Sequence, residues 1–393
     1  MVIFSVAGKQ LKLNTAADIA PIVADLRAQK AVAKIDFSGN TIGIEASKSL
    51  AEAIVAHKDS LVEINFSDFY TGRFNTEIPK SLEYLLPALL LCPKLATVNL
   101  SDNAFGLQTI DPIEAYLAKA VSVEHLILSN NGMGPYAGAR IGKSLYRLAK
   151  AKEKQGYGSL QTFVCGRNRL ENGSVNHLAV GLRSHRDLAT VRLYQNGIRP
   201  AGVEKLILRG LARNAKLRVL DLQDNTLTSR AAAALAAALP QWKDLAELNL
   251  NDCLLKPKGA FAVAEALSAG ASKNLAVLKL QYSELEADSL AKLAVAAEKA
   301  LPHLKVLELN GNRFDKNLDD LAAIRKALEK RAGEIDELDD LDSDDEDDED
   351  DEDDNDNDDT YDDYNASLTD LEADLVAEDV DALTEKLLGA HIE

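Results

Sequence analysis

The chain has 393 residues, 46% of them hydrophobic but only 5% aromatic, so a sizeable core has to be built from Leu, Ala, Val and Ile. Three scattered cysteines exclude a disulfide scaffold and argue against a cysteine metal cluster. No apolar run approaches the roughly 18 residues of a membrane span, and the formal charge of −19 is unevenly placed: residues 336–363 hold 21 acids and no base, whereas the first 335 residues keep 43 bases against 34 acids.

Residues 1–31 read as an N-terminal cap, and their start, MVIFSVAGKQLKLN, lacks the basic opening and long apolar stretch of a secretory signal. From Val32 the pattern L-x-x-L-x-L-x-x-N-x-L recurs, with copies starting at Val32, Leu61, Leu95, Val123, Leu160, Leu188, Leu217, Leu245, Leu275 and Leu304. The alternating L-x-L predicts a short strand with every second side chain in the core. The intervening stretches, such as RAAAALAAALPQW, have helical period. A strand–helix unit of this kind cannot bury its own apolar face, so the units stack. The expected fold is α/β: a leucine-rich repeat solenoid, a ribonuclease-inhibitor-like crescent with inner parallel strands and outer helices over 32–332.

Two repeats are long. The one from Leu61 carries the insertion SDFYTGRFNTEIP, and the one from Val123 an extended helix through GARIGKSLYRLAKAKEKQGYGS. A helix within Asp315–Ala332 closes the array. Residues 333–365 form an acidic segment too poor in apolar residues to fold, expected to be a disordered tail. The last segment, 366–393, regains helical spacing at Leu368, Leu371, Leu375, Leu383 and Leu387. It reads either as an exposed amphipathic helix or as a docking or nuclear-export segment.

Several chemistries fall away. GARIGKS (Gly138 to Ser144) has three residues between its glycines where a phosphate-binding loop needs four. The six histidines show no metal-ligand spacing, Cys165 occupies a core leucine slot, and Cys253 stands in an asparagine slot. Arg140, Lys143, Arg147, Lys150, Lys152 and Lys154 lack interleaved stacking aromatics beyond Tyr146, so they read as a solvated helix face rather than a nucleic-acid surface.

A protein-binding surface remains. The repeat asparagine (Asn40, Asn103, Asn131, Asn168, Asn196, Asn225, Asn312) is expected to turn inward and satisfy loop backbone groups. The residue before it then faces the rim: Gly39, Asp68, Asp102, Asn130, Arg167, Gln195, Asp224, Asp252, Tyr282 and Gly311. By this frame Asn131 is structural and Asn130 exposed.

The segments SGNTIG, SDFYTGR, CPKLATVNLSDNAFG, NNGMGP, CGRNRLENGS, QNGIRP, LDLQDN and LELNGNRF, together with the polyacidic ending, resemble the Ran GTPase-activating proteins of fungal type. The resemblance implies an activator with no hydrolysis and no cofactor of its own, GTP and magnesium belonging to the partner, Ran-GTP. It also implies that an asparagine, falling on Asn130, orients the GTPase's catalytic glutamine in place of an arginine finger. Arg73 would support the interface or its loop, and Asp102, Arg167, Gln195, Asp224 and Asp252 are further candidates for partner contact. A ternary complex with a Ran-binding protein is open, and nucleic acid and membrane partners are not expected. The further expectations are a cytoplasmic monomer supporting nucleocytoplasmic transport, and an acidic tail that attracts a basic surface of the GTPase. The rival reading is a leucine-rich scaffold whose acidic tail serves a histone-chaperone or inhibitor role.

Overall fold

A computed structural model describes residues 2–341 and 371–377. Its strands are β1 Val2–Ser5, β2 Lys12–Leu13, β3 Val32–Asp36, β4 Thr41–Ile42, β5 Glu63–Asn65, β6 Thr97–Asn99, β7 His125–Ile127, β8 Thr162–Val164, β9 Thr190–Arg192, β10 Val219–Asp221, β11 Glu247–Asn249, β12 Val277–Lys279, β13 Val306–Glu308 and β14 Glu334–Ile335. The helices are α1 Ala16–Ala28, α2 Ile44–Val55, α3 Ile78–Leu90, α4 Ile110–Leu117, α5 Gly134–Gln155, α6 Glu171–Arg183, α7 Pro200–Lys205, α8 Thr228–Ala238, α9 Lys256–Ser268, α10 Ala287–Val295 and α11 Asp319–Glu329.

Twelve strands form one parallel sheet in chain order, β1 and β3 at one end and β13 and β14 at the other, while β2 and β4 pair separately. The register repeats without drift: Ile64, Val98, Leu126, Phe163, Val191, Leu220, Leu248, Leu278 and Leu307 stand opposite one another and are buried. Their strand neighbours face the concave side, so three residues of strand per repeat suffice to seat the solenoid.

Both ends are closed by units the repeat pattern does not show. The first 31 residues supply β1, paired parallel to β3, and α1, which starts at a capping box between Thr15 and Asp18. At the other end the ordered chain runs beyond 332, where the sequence reading placed the tail boundary. β14 pairs with β13, and the Asp336 carboxylate accepts the Leu309 and Asn310 N–H groups at 2.8 and 3.0 Å. Acidic residues therefore open the tail by capping a sheet edge. The run from 342 to 370 lies outside the described residues, as do Leu368, Leu383 and Leu387.

The two glycines of GARIGKS sit inside α5, where it crosses α6. A Cβ on Gly142 would come within 2.4 Å of the His177 carbonyl carbon. Close helix approach, not phosphate, accounts for those glycines.

Candidate functional site

The rim residue stands three positions beyond the end of each repeat strand, and all ten rim residues adopt a left-handed backbone, φ between 47° and 69°. Asn and Asp tolerate that region and Gly adopts it freely, but Arg167, Gln195 and Tyr282 carry a cost of about 1–2 kcal/mol each. The left-handed step turns the chain just past the strand and directs the following residue inward. The seven repeat asparagines are accordingly buried.

The ladder they form is continuous through the middle of the array. Asn131 donates its amide to the Leu100 and Leu128 carbonyls at 3.1 and 2.9 Å, and its Oδ1 accepts the Asn103 N–H at 2.9 Å. Asn168 Oδ1 then accepts the Asn131 N–H, and Asn196 Oδ1 that of Asn168. In one of the three repeats that lack the asparagine, Cys253 Sγ reaches the Leu222 carbonyl at 3.2 Å. Burial pushes the Cys92 thiol up to about 11 and Cys165 up to about 12, so these cysteines are packing residues rather than nucleophiles.

Asn130, one residue before Asn131, is exposed. Its Nδ2 donates to Asp102 Oδ1 of the preceding repeat at 2.8 Å. A carboxylate only accepts, so this bond fixes which face of the amide is nitrogen and leaves Oδ1 directed away. Asp102 and Asn130, with Ala104, Gly106, Asn131 and Gly132, line an open depression of about 350 Å³. A second depression, about 260 Å³, lies between Gln195, Asp224 and Asp252. Burial, and then the neighbouring Asp224, raise the Asp252 carboxyl above its ordinary value, so that pair presents concentrated negative charge. Arg167, like Gln195, is exposed on the same row.

Arg73 stands apart from this row. Its Nε donates to Thr41 Oγ1 at 2.9 Å and a terminal nitrogen to Asn14 Oδ1 at 2.6 Å. The guanidinium thereby braces the insertion loop against the N-terminal unit. That loop is anchored from inside by Phe69, stacked on Phe66 with 5.0 Å between centroids, and by Tyr70, whose hydroxyl bonds Ser81.

Sequence reasoning passed over three apolar side chains five or six residues beyond the rim in consecutive repeats. Phe74, Leu107 and Tyr136 are 76%, 51% and 71% exposed. Their similar offset from Asp68, Asp102 and Asn130 was the available signal. The basic cluster, by contrast, is largely accounted for within the fold. Arg140 pairs with Asp111 and Glu114, and Arg147 with Glu114. Lys152 is buried, donates to the Val121 and Gly158 carbonyls, and is pushed down to about 8 by desolvation. No group of His, Cys, Asp and Glu residues able to hold a metal, and no helix long and apolar enough to cross a membrane, occurs among the described residues.

A leucine-rich repeat family model matches residues 213–236. The chain is 52% identical over 334 residues to Ran GTPase-activating protein 1 of Saccharomyces cerevisiae, spanning 83% of this chain and 82% of that one. It is 41% identical to Ran GTPase-activating protein 2 of Caenorhabditis elegans over 50% of this chain and 20% of that one. Against Ran GTPase-activating protein 1 of Xenopus laevis the identity is 36%, over 49% of this chain and 34% of that one.

Proposed function

The chain belongs to the Ran GTPase-activating protein family, and on that premise we propose that it accelerates GTP hydrolysis by Ran through Asn130. The observation that carries the mechanism is the pair of neighbours with opposite fates: Asn131 is consumed by the ladder, while Asn130 projects from a fixed backbone with its amide held by Asp102. A carboxamide so held can accept from and donate to the side-chain amide of the GTPase's own glutamine. Orienting that glutamine orients the attacking water, which lowers the entropy lost at the barrier. Arg73, occupied by Thr41 and Asn14, supports the loop and does not reach for phosphate. Asp102 is a positioning residue.

The rim also supplies the binding surface. Asp68, Asp102, Asp224 and Asp252 make it acidic on a body with excess base, a charge contrast that favours a basic face of the GTPase. Phe74, Leu107 and Tyr136 add exposed apolar area on the stretches that follow Asp68, Asp102 and Asn130, the composition expected of interface anchors. Acting outside the nucleus, such an activator would keep Ran in its GDP form there and sustain directional transport.

The test is single-turnover GTP hydrolysis by Ran with substoichiometric amounts of this protein, beside an unrelated small GTPase. Acceleration of Ran alone is expected; equal acceleration of both, or of neither, would sink the proposal.

A further inference from the structure

The convex face carries an apolar contact separate from the main core. Tyr146 of α5 and Val180 of α6 pack with Leu371 and Leu375 of the C-terminal helical residues 371–377. The two leucines are 3% and 1% exposed, whereas Val376, the next residue along the helix, is 52% exposed. An ion pair closes the contact: Arg183, in the last turn of α6, directs Nε and a terminal nitrogen to Glu372 Oε1 at 3.2 and 2.6 Å. Leucines four apart lie on one helix face, and the acid beside the first of them meets the arginine at the edge of the seam. The exposed amphipathic helix that the sequence permitted is therefore packed over these residues.

We propose that the seam between α5 and α6 is a docking site for the chain's own C-terminal segment, so that the polyacidic run is anchored to the body at both of its ends. The near anchor is already part of the last unit. Asp336 caps Leu309 and Asn310, and Asp340 accepts the Tyr282 hydroxyl at 2.9 Å while its N–H donates to Asn310 Oδ1. The far anchor is Leu371, Glu372 and Leu375. Between them lie residues 342–370, a length that reaches at most about 100 Å. Six strand steps separate β14 from β8; at about 10 Å per helix on the convex side the path is about 60 Å. The chain can thus reach its own seam. A tether of this length keeps the segment at an effective concentration on the order of millimolar, so two leucines and one ion pair can hold it without a high-affinity contact.

The inference does not depend on Asn130 or on Ran, and its test has no hydrolysis readout. In the full chain, Leu375→Cys is compared with Ala373→Cys, an exposed position on the same helix, by the rate of labelling with a maleimide. The native cysteines are buried and serve as a silent background. A segment docked nine-tenths of the time slows labelling at 375 by about tenfold relative to 373. Arg183→Glu should erase most of that slowing, and adding Glu372→Arg should restore it. Equal rates at the two positions would overturn the proposal, as would indifference to Arg183→Glu. Slowing that appears only at high protein concentration would also overturn it, by assigning the segment to a second copy.

Discussion

The ladder and the rim are built from adjacent residues of the same loops, yet they obey opposite rules. In the ladder an asparagine has all its capacity spent on backbone: Asn131 bonds Leu100, Leu128 and the Asn103 N–H, and has no exposure. On the rim an asparagine or aspartate has its backbone fixed by the left-handed step and its side chain turned outward. Residue type is thus a poor guide to role in this molecule, and position in the repeat is a good one. A buried amide left without partners costs stability, while an exposed one held in place offers directed chemistry.

That contrast can be broken most sharply by paired substitutions. Asn130→Ala should lower the stimulated rate of GTP hydrolysis by Ran roughly 10²–10³-fold in single-turnover assays, with Ran affinity nearly kept and the melting temperature little changed. Asn131→Ala should do the reverse, removing about 3 kcal/mol of unfolding free energy in urea titration because several buried backbone groups lose their partner. Should both variants lose activity and keep stability, the assignment of roles between the two asparagines fails.

The interior can also be attacked by protons alone. His185 is buried, accepts the Leu160 N–H at Nδ1 and faces the Leu145 carbonyl with Nε2, so it must stay neutral. Desolvation pushes it down to about 4 from an ordinary 6.5. The unfolded chain binds the proton first as the pH falls, so this stabilisation is complete above pH 6.5 and is lost between 6.5 and 4. The loss amounts to about 3 kcal/mol. Denaturant midpoints across that range should fall in the wild type and change less in His185→Gln.

Smaller effects sharpen the rim side. Asp102→Ala frees the Asn130 amide to rotate and should cost about tenfold in the stimulated rate, a fraction of what the asparagine itself is worth. A positioning role requires that the loss fall on the hydrolysis step at saturating protein rather than on affinity. Smallest of all, Gln195→Gly should raise stability by about 1 kcal/mol by relieving a left-handed glutamine. If Gln195 touches the partner, the same variant weakens Ran association; unchanged association would remove it from the interface.

The frame was legible in the sequence because a 28- or 29-residue period makes each position a statement about nine others. Asn131 could be separated from Asn130 by counting, and the left-handed row confirms the frame. The Asp102–Asn130 bond was within reach too, since rim residues of successive repeats sit one strand spacing apart. What periodicity cannot convey is contact between parts that do not repeat. Arg140 meets Asp111 and Glu114 only through the particular register of α4 and α5. Leu371 and Leu375 meet α5 and α6 from nearly 200 residues away, with nothing in their spacing to name the partner. The two closing units were legible as a cap over 1–31 and a helix within Asp315–Ala332, but their strands escaped for a related reason: β1 and β14 lack the repeat consensus because each has a neighbour on one side only.

The shared left-handed step bears on how such a protein can change over generations. Each rim position is a socket whose shape is set by its neighbours' backbone and not by the residue it holds: Gly, Asp, Asn, Arg, Gln and Tyr all occupy it with φ within about 20° of one another. Replacing the letter in one socket leaves the next one's backbone step in place, so partner preference can drift in small moves, coupled only where neighbouring rim side chains meet, as Asp102 and Asn130 do. The ladder permits far less drift, because from Asn103 to Asn196 each asparagine completes its neighbour, and elsewhere Cys253 and Ser283 stand in only by bonding the same kind of loop carbonyl. A lineage can therefore rewrite what the crescent recognises while inheriting the crescent intact.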